Sequence, residues 1–456
     1  MNSNRISEMG KMNILIRCFG CTANFGEAAQ HMKMLKKAGH IIVNDASLAD
    51  IAIIRTCCVI ERTELNMLRE ITSFTKRSIP VIVTGCMASS RRVIIEERFP
   101  KVVFCSFGEE AQLPEMIESL HEDSIDRETT GCEKHKIPGS EMGTLLKSNI
   151  VSPTADELST THIEVISNGC LGKCSYCITR FARGQLESYS REKIRSGINK
   201  ALGNGKKEIF LTSQDNAVYG FDFGFKEKKY YLPSLLNDIL KDNSDYNFRL
   251  RVGMMNPWGL ARIIGELIPV MNNKKIYSFI HLPVQSGDHE VLVSMRRRYK
   301  RSDFVDLVSQ LRQGLPELTL STDIIVGFPG ENEEQFARSF DLMKEIEPDV
   351  INITRFSPRP GTVAASMKNR IVGWKAKNRS RELTKLRFDI TDRKLSGRRG
   401  TRLKALSVEA GTKNSTLLRT DNYTTVVVKE DLPLGIFFDV EIIDSTDIYL
   451  VGKVSS

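Results

Sequence analysis

Three cysteines on one short stretch, Cys170, Cys174 and Cys177, constrain this chain more than any other feature. They stand in Asn168-Gly169-Cys170-Leu171-Gly172-Lys173-Cys174-Ser175-Tyr176-Cys177, a C-x3-C-x2-C spacing. Three thiolates on one loop can hold three irons of a cubane 4Fe–4S cluster, which leaves the fourth iron open to a small molecule. Tyr176 would put a ring beside that open position. A structural zinc loop would need four ligands closing a tetrahedron. No fourth Cys or His follows at finger-like spacing.

At 456 residues the chain is too long for one ordinary core and suggests two or three domains. Its 41% hydrophobic and 27% charged residues are the composition of a soluble globular protein. No apolar run approaches the length of a membrane span, and Met1-Asn2-Ser3-Asn4-Arg5 lacks the apolar core of a signal peptide. A cytoplasmic protein without membrane association is expected. In that reducing setting ten cysteines indicate metal, redox chemistry or burial rather than disulfides. A net charge of +9 fits a nucleic-acid partner better than an acidic small molecule.

Strands alternate with helices through the N-terminal part, which predicts a parallel sheet in residues 1–118. Asn13-Ile14-Leu15-Ile16-Arg17 leads to Cys21, Ile51-Ala52-Ile53-Ile54 to Cys57, and Val81-Ile82-Val83 to Cys86. Each of these cysteines follows the carboxyl end of a predicted strand, the edge at which ligands collect in open α/β sheets. A second thiol triad is therefore expected in space. Residues 119–160 are polar and irregular and read as a linker, with Cys132 incidental to the chemistry.

Residues 161–395 return to the alternation. Candidate strands are Thr161–Ile166, Glu208–Thr212, Arg249–Val252, Ile276–Leu282, Leu318–Ile325 and Asp349–Arg355. Six parallel strands fit a full or partial β/α barrel, with its site at the strands' C-terminal ends. The Cys loop, Gln214-Asp215 and Gly253-Met254-Met255-Asn256-Pro257 all follow strands. Lys and Arg crowd the stretch from Lys375 to Lys404, which reads as a solvated basic helix. Residues 396–456 alternate apolar and polar side chains, the pattern of a small antiparallel β-barrel or sandwich.

Cys170-x3-Cys174-x2-Cys177 with an aromatic before the third Cys resembles the radical S-adenosylmethionine (SAM) superfamily. Gly20-Cys21-Thr22-Ala23-Asn24, Thr56-Cys57-Cys58-Val59, Thr84-Gly85-Cys86, Ala182-Arg183-Gly184, His281-Leu282-Pro283-Val284-Gln285-Ser286-Gly287 and Thr322–Glu331 are similar to stretches of its methylthiotransferases. The resemblance implies an N-terminal flavodoxin-like cluster domain, a radical-SAM barrel and a C-terminal TRAM module that binds RNA. It implies two 4Fe–4S clusters, one on Cys170, Cys174 and Cys177 and one on Cys21, Cys57 and Cys86. The first would chelate SAM and cleave it to a 5′-deoxyadenosyl radical; the second would hold the sulfur that is methylated and transferred. An electron donor and a sulfur source are implied partners. Gln214, Asp215 and Tyr176 become candidate SAM contacts, with Arg183 for the SAM carboxylate. Arg55 departs from the family, which usually has Asn before the second Thr-Cys. Cys58 adjoins Cys57 and points the other way on an extended segment, so Cys57 is taken as the ligand.

Methylthiotransferases act on isopentenyladenosine or threonylcarbamoyladenosine in tRNA, or on an aspartate of a ribosomal protein. The charge favours RNA. Arg251–Pro257 and Leu211–Gly220 look most like the archaeal and eukaryotic branch that modifies threonylcarbamoyladenosine beside the anticodon. The end at Val454-Ser455-Ser456, without an apolar tail, leans archaeal. A reading from a different class is a non-catalytic iron–sulfur RNA-binding protein.

Overall fold

The computed structural model describes residues 11–59, 61–128, 159–224 and 231–455, so Cys132 lies outside the described residues. The chain divides into two units: one reaches Leu158 and includes the short segment Phe181–Arg183, and the other holds the rest.

The first unit is built on β1 (Asn13–Cys18), β2 (Ile41–Val43), β3 (Ile51–Thr56), β4 (Val81–Gly85) and β5 (Val103–Cys105). They pair in the order β2-β1-β3-β4-β5, all parallel. This is the flavodoxin-like order, whose direction of winding reverses between β1 and β3. Helices Thr22–Lys37, Glu61–Lys76 and Leu113–Glu128 connect or follow the strands. β3 and β4 are buried throughout, as parallel strands covered on both faces should be. The last helix runs to Glu128 and so carries regular structure past the boundary expected at residue 118.

The second unit contains six parallel strands in two sets of three. β6 (Thr161–Val165), β9 (Glu208–Thr212) and β10 (Arg249–Val252) form one set. β11 (Phe279–His281), β12 (Thr319–Val326) and β13 (Val350–Arg355) form the other. A single parallel bridge, Leu250 to Ile276, joins them. The result is a partial barrel, with Ile209, Leu211, Leu250, Val252, Ile280, Leu320 and Ile324 turned into one continuous apolar core. A two-stranded ribbon of β7 (Ser167–Asn168) and β8 (Glu187–Ser188) flanks the Cys loop.

β11 is shorter than the Ile276–Leu282 run suggests, and the cause is a competing partner. The Ser278 N–H donates to the Asp421 carbonyl, away from the sheet. Asp421 belongs to the C-terminal module of β14 (Arg402–Ala410), β15 (Thr416–Thr420), β16 (Thr425–Val428), β17 (Phe437–Ser445) and β18 (Leu450–Val454). These close into a barrel in the order β14-β15-β16-β18-β17. The β16–β18 pair is parallel, where an all-antiparallel module was expected.

The helix Gly373–Ser396 is not simply solvated. Ala376, Arg379, Leu383 and Ile390 are buried at helical spacing. Leu383 and Ile390 belong to the barrel core, and the Arg379 guanidinium meets buried Glu331 at 2.7 Å. Cutting the chain before this helix would remove both apolar anchors, each worth roughly 2–5 kcal/mol by Leu→Ala precedent. It would also leave Glu331 uncompensated. The opposite face carries Lys377, Arg381 and Lys385, exposed at four-residue spacing and without an acid partner among the described residues.

Candidate iron–sulfur centres

Cys21, Cys57 and Cys86 follow β1, β3 and β4, three adjacent strands of one sheet, at the carboxyl edge. Far apart along the chain, they are brought together by the sheet order. Gly20 has φ +108°, and a Cβ built there would lie 2.6 Å from Cys57 Cβ and 3.0 Å from its Sγ. Only glycine lets the two loops approach this closely. Asn24 ties them further, its Nδ2 donating to the Phe19 carbonyl (2.6 Å) and the Thr56 carbonyl (3.0 Å). The Thr56 hydroxyl donates to the Thr84 carbonyl at 2.6 Å and accepts from the Met87 N–H at 3.0 Å, which fixes the third loop. Cys21 is exposed, while Cys57 and Cys86 are buried.

Cys58 is buried as well, and its thiol hydrogen-bonds to Cys86. That bond lowers the Cys86 pKa against the cost of burial, and the Arg183 guanidinium lowers it further. Cys57 Sγ instead faces the Gly20–Cys21 side. Of the two neighbours, only replacement of Cys57 should remove a ligand. Cys57→Ser should lower iron content after anaerobic reconstitution, while Cys58→Ser should leave it unchanged; the opposite pair of results would exchange their roles.

Beneath these loops lies a network of buried charge that sequence reading missed. Arg55 is fully buried and pairs with Glu27 and, at 3.0 Å, with Glu110. It also donates to the Thr84 hydroxyl at 3.1 Å. Arg183, on the segment grouped with this unit, donates to Glu27 Oε1 at 2.7 Å and to Asn24 Oδ1 at 2.6 Å, and sits over the Phe107 ring. Burial opposes ionisation of Glu27, but the two guanidiniums outweigh it and hold its pKa below the usual carboxylate range. Arg183 was expected at the SAM carboxylate; here its guanidinium is committed to Glu27 and Asn24, beside Cys86. Glu27 gave no signal in the sequence, because its partners come from distant segments.

In the second unit the Cys loop leaves β7 through Gly169, whose φ is +72° and where a Cβ would fall 1.8 Å from the Gln185 carbonyl oxygen. Each sulfur of the loop accepts a hydrogen bond from a nitrogen: Cys170 from Gly172 N–H (3.2 Å), Cys177 from Thr179 N–H (3.4 Å), and Cys174 from Arg297 Nη1 (3.3 Å). Such donors stabilise thiolates and tune a cluster. Arg297 is held by the Pro283 carbonyl and the Tyr299 hydroxyl. Within Arg296-Arg297-Arg298 it reads as one more surface charge, so sequence offered no way to single it out. Burial pushes the Cys170 pKa up to about 12. Among the described residues no three His, Cys, Asp or Glu side chains converge as ligands of one metal ion would. A cubane does not require that, because each thiolate takes its own corner iron.

Gln214 and Asp215 follow β9 at the same edge. The Asp215 carboxylate is engaged by the backbone N–H groups of Ala217 (3.2 Å) and Asn256 (3.0 Å), and burial raises its pKa to about 6. It therefore pins the Gly253–Asn256 loop. Gln214 Oε1, Ser167 Oγ and Asn216 Oδ1 are buried without a hydrogen-bond partner. Unsatisfied polar atoms beside a thiol-bearing loop suit a polar ligand such as SAM, which would supply the missing partners. Tyr176 packs against the cluster of Val291, Met295, Phe328 and Ala364.

Two family models match the chain: the Radical SAM superfamily over residues 165–343, and an uncharacterized protein family, UPF0004, over residues 13–106. A probable threonylcarbamoyladenosine tRNA methylthiotransferase of Pyrococcus abyssi is 36% identical over 448 residues, covering 98% of this chain and 100% of that protein. Its namesake in Methanocaldococcus jannaschii is 34% identical, with 97% of each chain covered. The Homo sapiens threonylcarbamoyladenosine tRNA methylthiotransferase is 29% identical over 83% of this chain and 62% of its own length. Among solved structures, the radical S-adenosylmethionine methyltransferase TsrM of Kitasatospora setae aligns with a TM-score of 0.56 over 78% of this chain and 77% of that one. At 15% identity that likeness shows the fold alone.

Proposed function

Since the chain belongs to the threonylcarbamoyladenosine tRNA methylthiotransferases of the radical SAM superfamily, we propose that its two thiol triads divide the work. Cys170, Cys174 and Cys177 hold the cluster that engages SAM, and Cys21, Cys57 and Cys86 hold the auxiliary one. The reaction itself places a methylthio group at C2 of N6-threonylcarbamoyladenosine next to the tRNA anticodon, with two 4Fe–4S clusters and SAM as cofactors. When bound, the first cluster supplies the electron that cleaves SAM and starts hydrogen abstraction, and the second supplies the sulfur.

The residues of the chain bind and orient. The observation that carries the assignment is the set of nitrogen donors, one to each sulfur of the 170–177 loop. Gln214 offers SAM an unpartnered acceptor, Tyr176 shapes the wall of the loop, and Asp215 holds the Asn256 loop in place. Arg183 serves the auxiliary site, where Glu27 and Asn24 aim it at Cys86. An electron donor and a sulfur source complete the reaction. No helix among the described residues is long and apolar enough to cross a membrane, and we place the enzyme in the cytoplasm with its tRNA substrate.

The anticodon loop suits an enzyme that reads splayed-out bases, and the basic helix Gly373–Ser396 with the C-terminal barrel gives it a surface. Lys377, Arg381 and Lys385 are the phosphate-binding side chains on that helix. Replacing all three by Ala should weaken tRNA binding and flatten the dependence of log affinity on log salt by about 0.7–0.9 for each phosphate no longer neutralised. Iron content should not change. An unaltered salt slope would move the RNA surface elsewhere.

A further inference from the structure

Against β11 and the amino-terminal halves of β12 and β13, entirely within the second unit, lies a cavity of about 1090 Å3. Arg251 of β10, His281 of β11, Ser321 of β12 and Asn352 of β13 line one side, and Tyr423, from the turn between β15 and β16, lines another. Its size suits a nucleoside with a bulky substituent.

Every acid on its wall is paired, and of the cations Arg312 donates to the Ile346 and Glu347 carbonyls while exposed Lys404 lies over the Phe437 ring. Asp349 pairs with Lys394 (2.9 Å), Glu317 with Arg398 (2.8 Å), Glu347 with Arg393 (2.6 Å), Asp421 with Arg249 (2.6 Å) and Glu345 with Arg301. Arg419, also on the wall, has Glu208. Arg251 has no carboxylate among the described residues, and its Nε is buried without a hydrogen-bond partner. Three rings surround its guanidinium instead: Phe279 at 4.9 Å, Tyr423 at 5.0 Å and Phe210 at 5.2 Å. Aromatic faces hold the fork in one plane but leave its N–H groups unsatisfied, a geometry that suits bidentate capture of a carboxylate. Nearby, Asp323 orients both His281 (2.8 Å) and Asn352 (2.9 Å), so these two side chains of the pocket are fixed as well.

We propose that Arg251 reads the threonyl carboxylate of the target nucleoside and is thereby the specificity-determining residue of this enzyme. The inference rests on the substrate assigned above. β10 ends one residue after Arg251 and runs directly into the Gly253–Asn256 loop that Asp215 pins. Recognition at Arg251 is therefore built next to the strand ends that carry the reaction. An isopentenyl group brings no anion and would leave the half-buried guanidinium unanswered, which costs affinity.

The test measures anaerobic binding of three anticodon stem-loop RNAs to the full-length reconstituted enzyme. One carries threonylcarbamoyladenosine, one the same group with its carboxylate converted to carboxamide, and one unmodified adenosine. The wild type should bind the carboxylate RNA about ten- to a hundredfold more tightly than the carboxamide, the range of a charge-assisted pair. Arg251→Gln should abolish that ratio, Arg251→Lys should keep part of it, and both should bind the unmodified RNA like the wild type. A wild-type-like ratio in Arg251→Gln overturns the proposal. So does equal weakening toward all three RNAs, which would mark a phosphate contact. Should Arg251→Gln lose iron and fail to fold, the wild-type carboxylate-to-carboxamide ratio and its decline in Arg251→Lys decide alone. Failure of the wild type to methylthiolate the first RNA would instead refute the substrate assignment.

Discussion

Replacing Cys170 and Cys174 together by alanine abolishes 5′-deoxyadenosine formation and halves the iron content, from about eight to about four per chain. The loss is complete because the loop offers no substitute ligand. Its third sulfur, Cys177, is fixed by the Thr179 N–H, and Arg297 would face an empty position where Cys174 Sγ now accepts its hydrogen bond. The loop backbone should survive, since the Ser175 N–H still donates to the Met295 carbonyl and the Ser175 carbonyl still accepts from Ala364. Retained SAM cleavage in this variant would show that the reaction starts elsewhere.

Cys21→Ala with Cys86→Ala has the complementary outcome: SAM cleavage persists, about four irons remain, and methylthio transfer falls below detection. The first unit has its own sheet, and its three loops stay tied by Asn24 and Thr56 without any thiol. Both alanines are smaller than the residues they replace, and Cys21 is exposed, so the fold should tolerate them. If this variant still transfers sulfur, the triad is structural and the auxiliary-cluster assignment fails.

How legible these centres were depended on where the partners of each residue lie in the chain. The 170–177 loop carries its candidate ligands within one short motif, so spacing alone pointed to it. The N-terminal triad was legible only through the thrice-repeated strand–loop–Cys pattern, and the order β1-β3-β4 supplies the convergence. Glu208–Thr212 and Arg249–Val252 are strands with the bounds expected from the sequence. Ile276–Leu282 is not, because the Ser278 N–H found a partner far along the chain at Asp421. The same distance hid Glu27 between Arg55 and Arg183. It hid Arg297 behind Cys174 and the aromatic box around Arg251. Charge counting marked residues 375–404 as solvent-facing. It could not distinguish exposed Lys377 and Arg381 from Arg379, which is buried on Glu331.

The most direct test of the whole account is mass spectrometry of nucleosides from tRNA incubated with the reconstituted enzyme, SAM and a reductant. Two tRNAs should be offered in equal amounts, one with N6-threonylcarbamoyladenosine and one with isopentenyladenosine beside the anticodon. The account predicts 2-methylthio-N6-threonylcarbamoyladenosine from the first and unchanged isopentenyladenosine in the second. Methylthiolation of the isopentenyl tRNA in preference, or of neither tRNA while SAM is still cleaved, would contradict it.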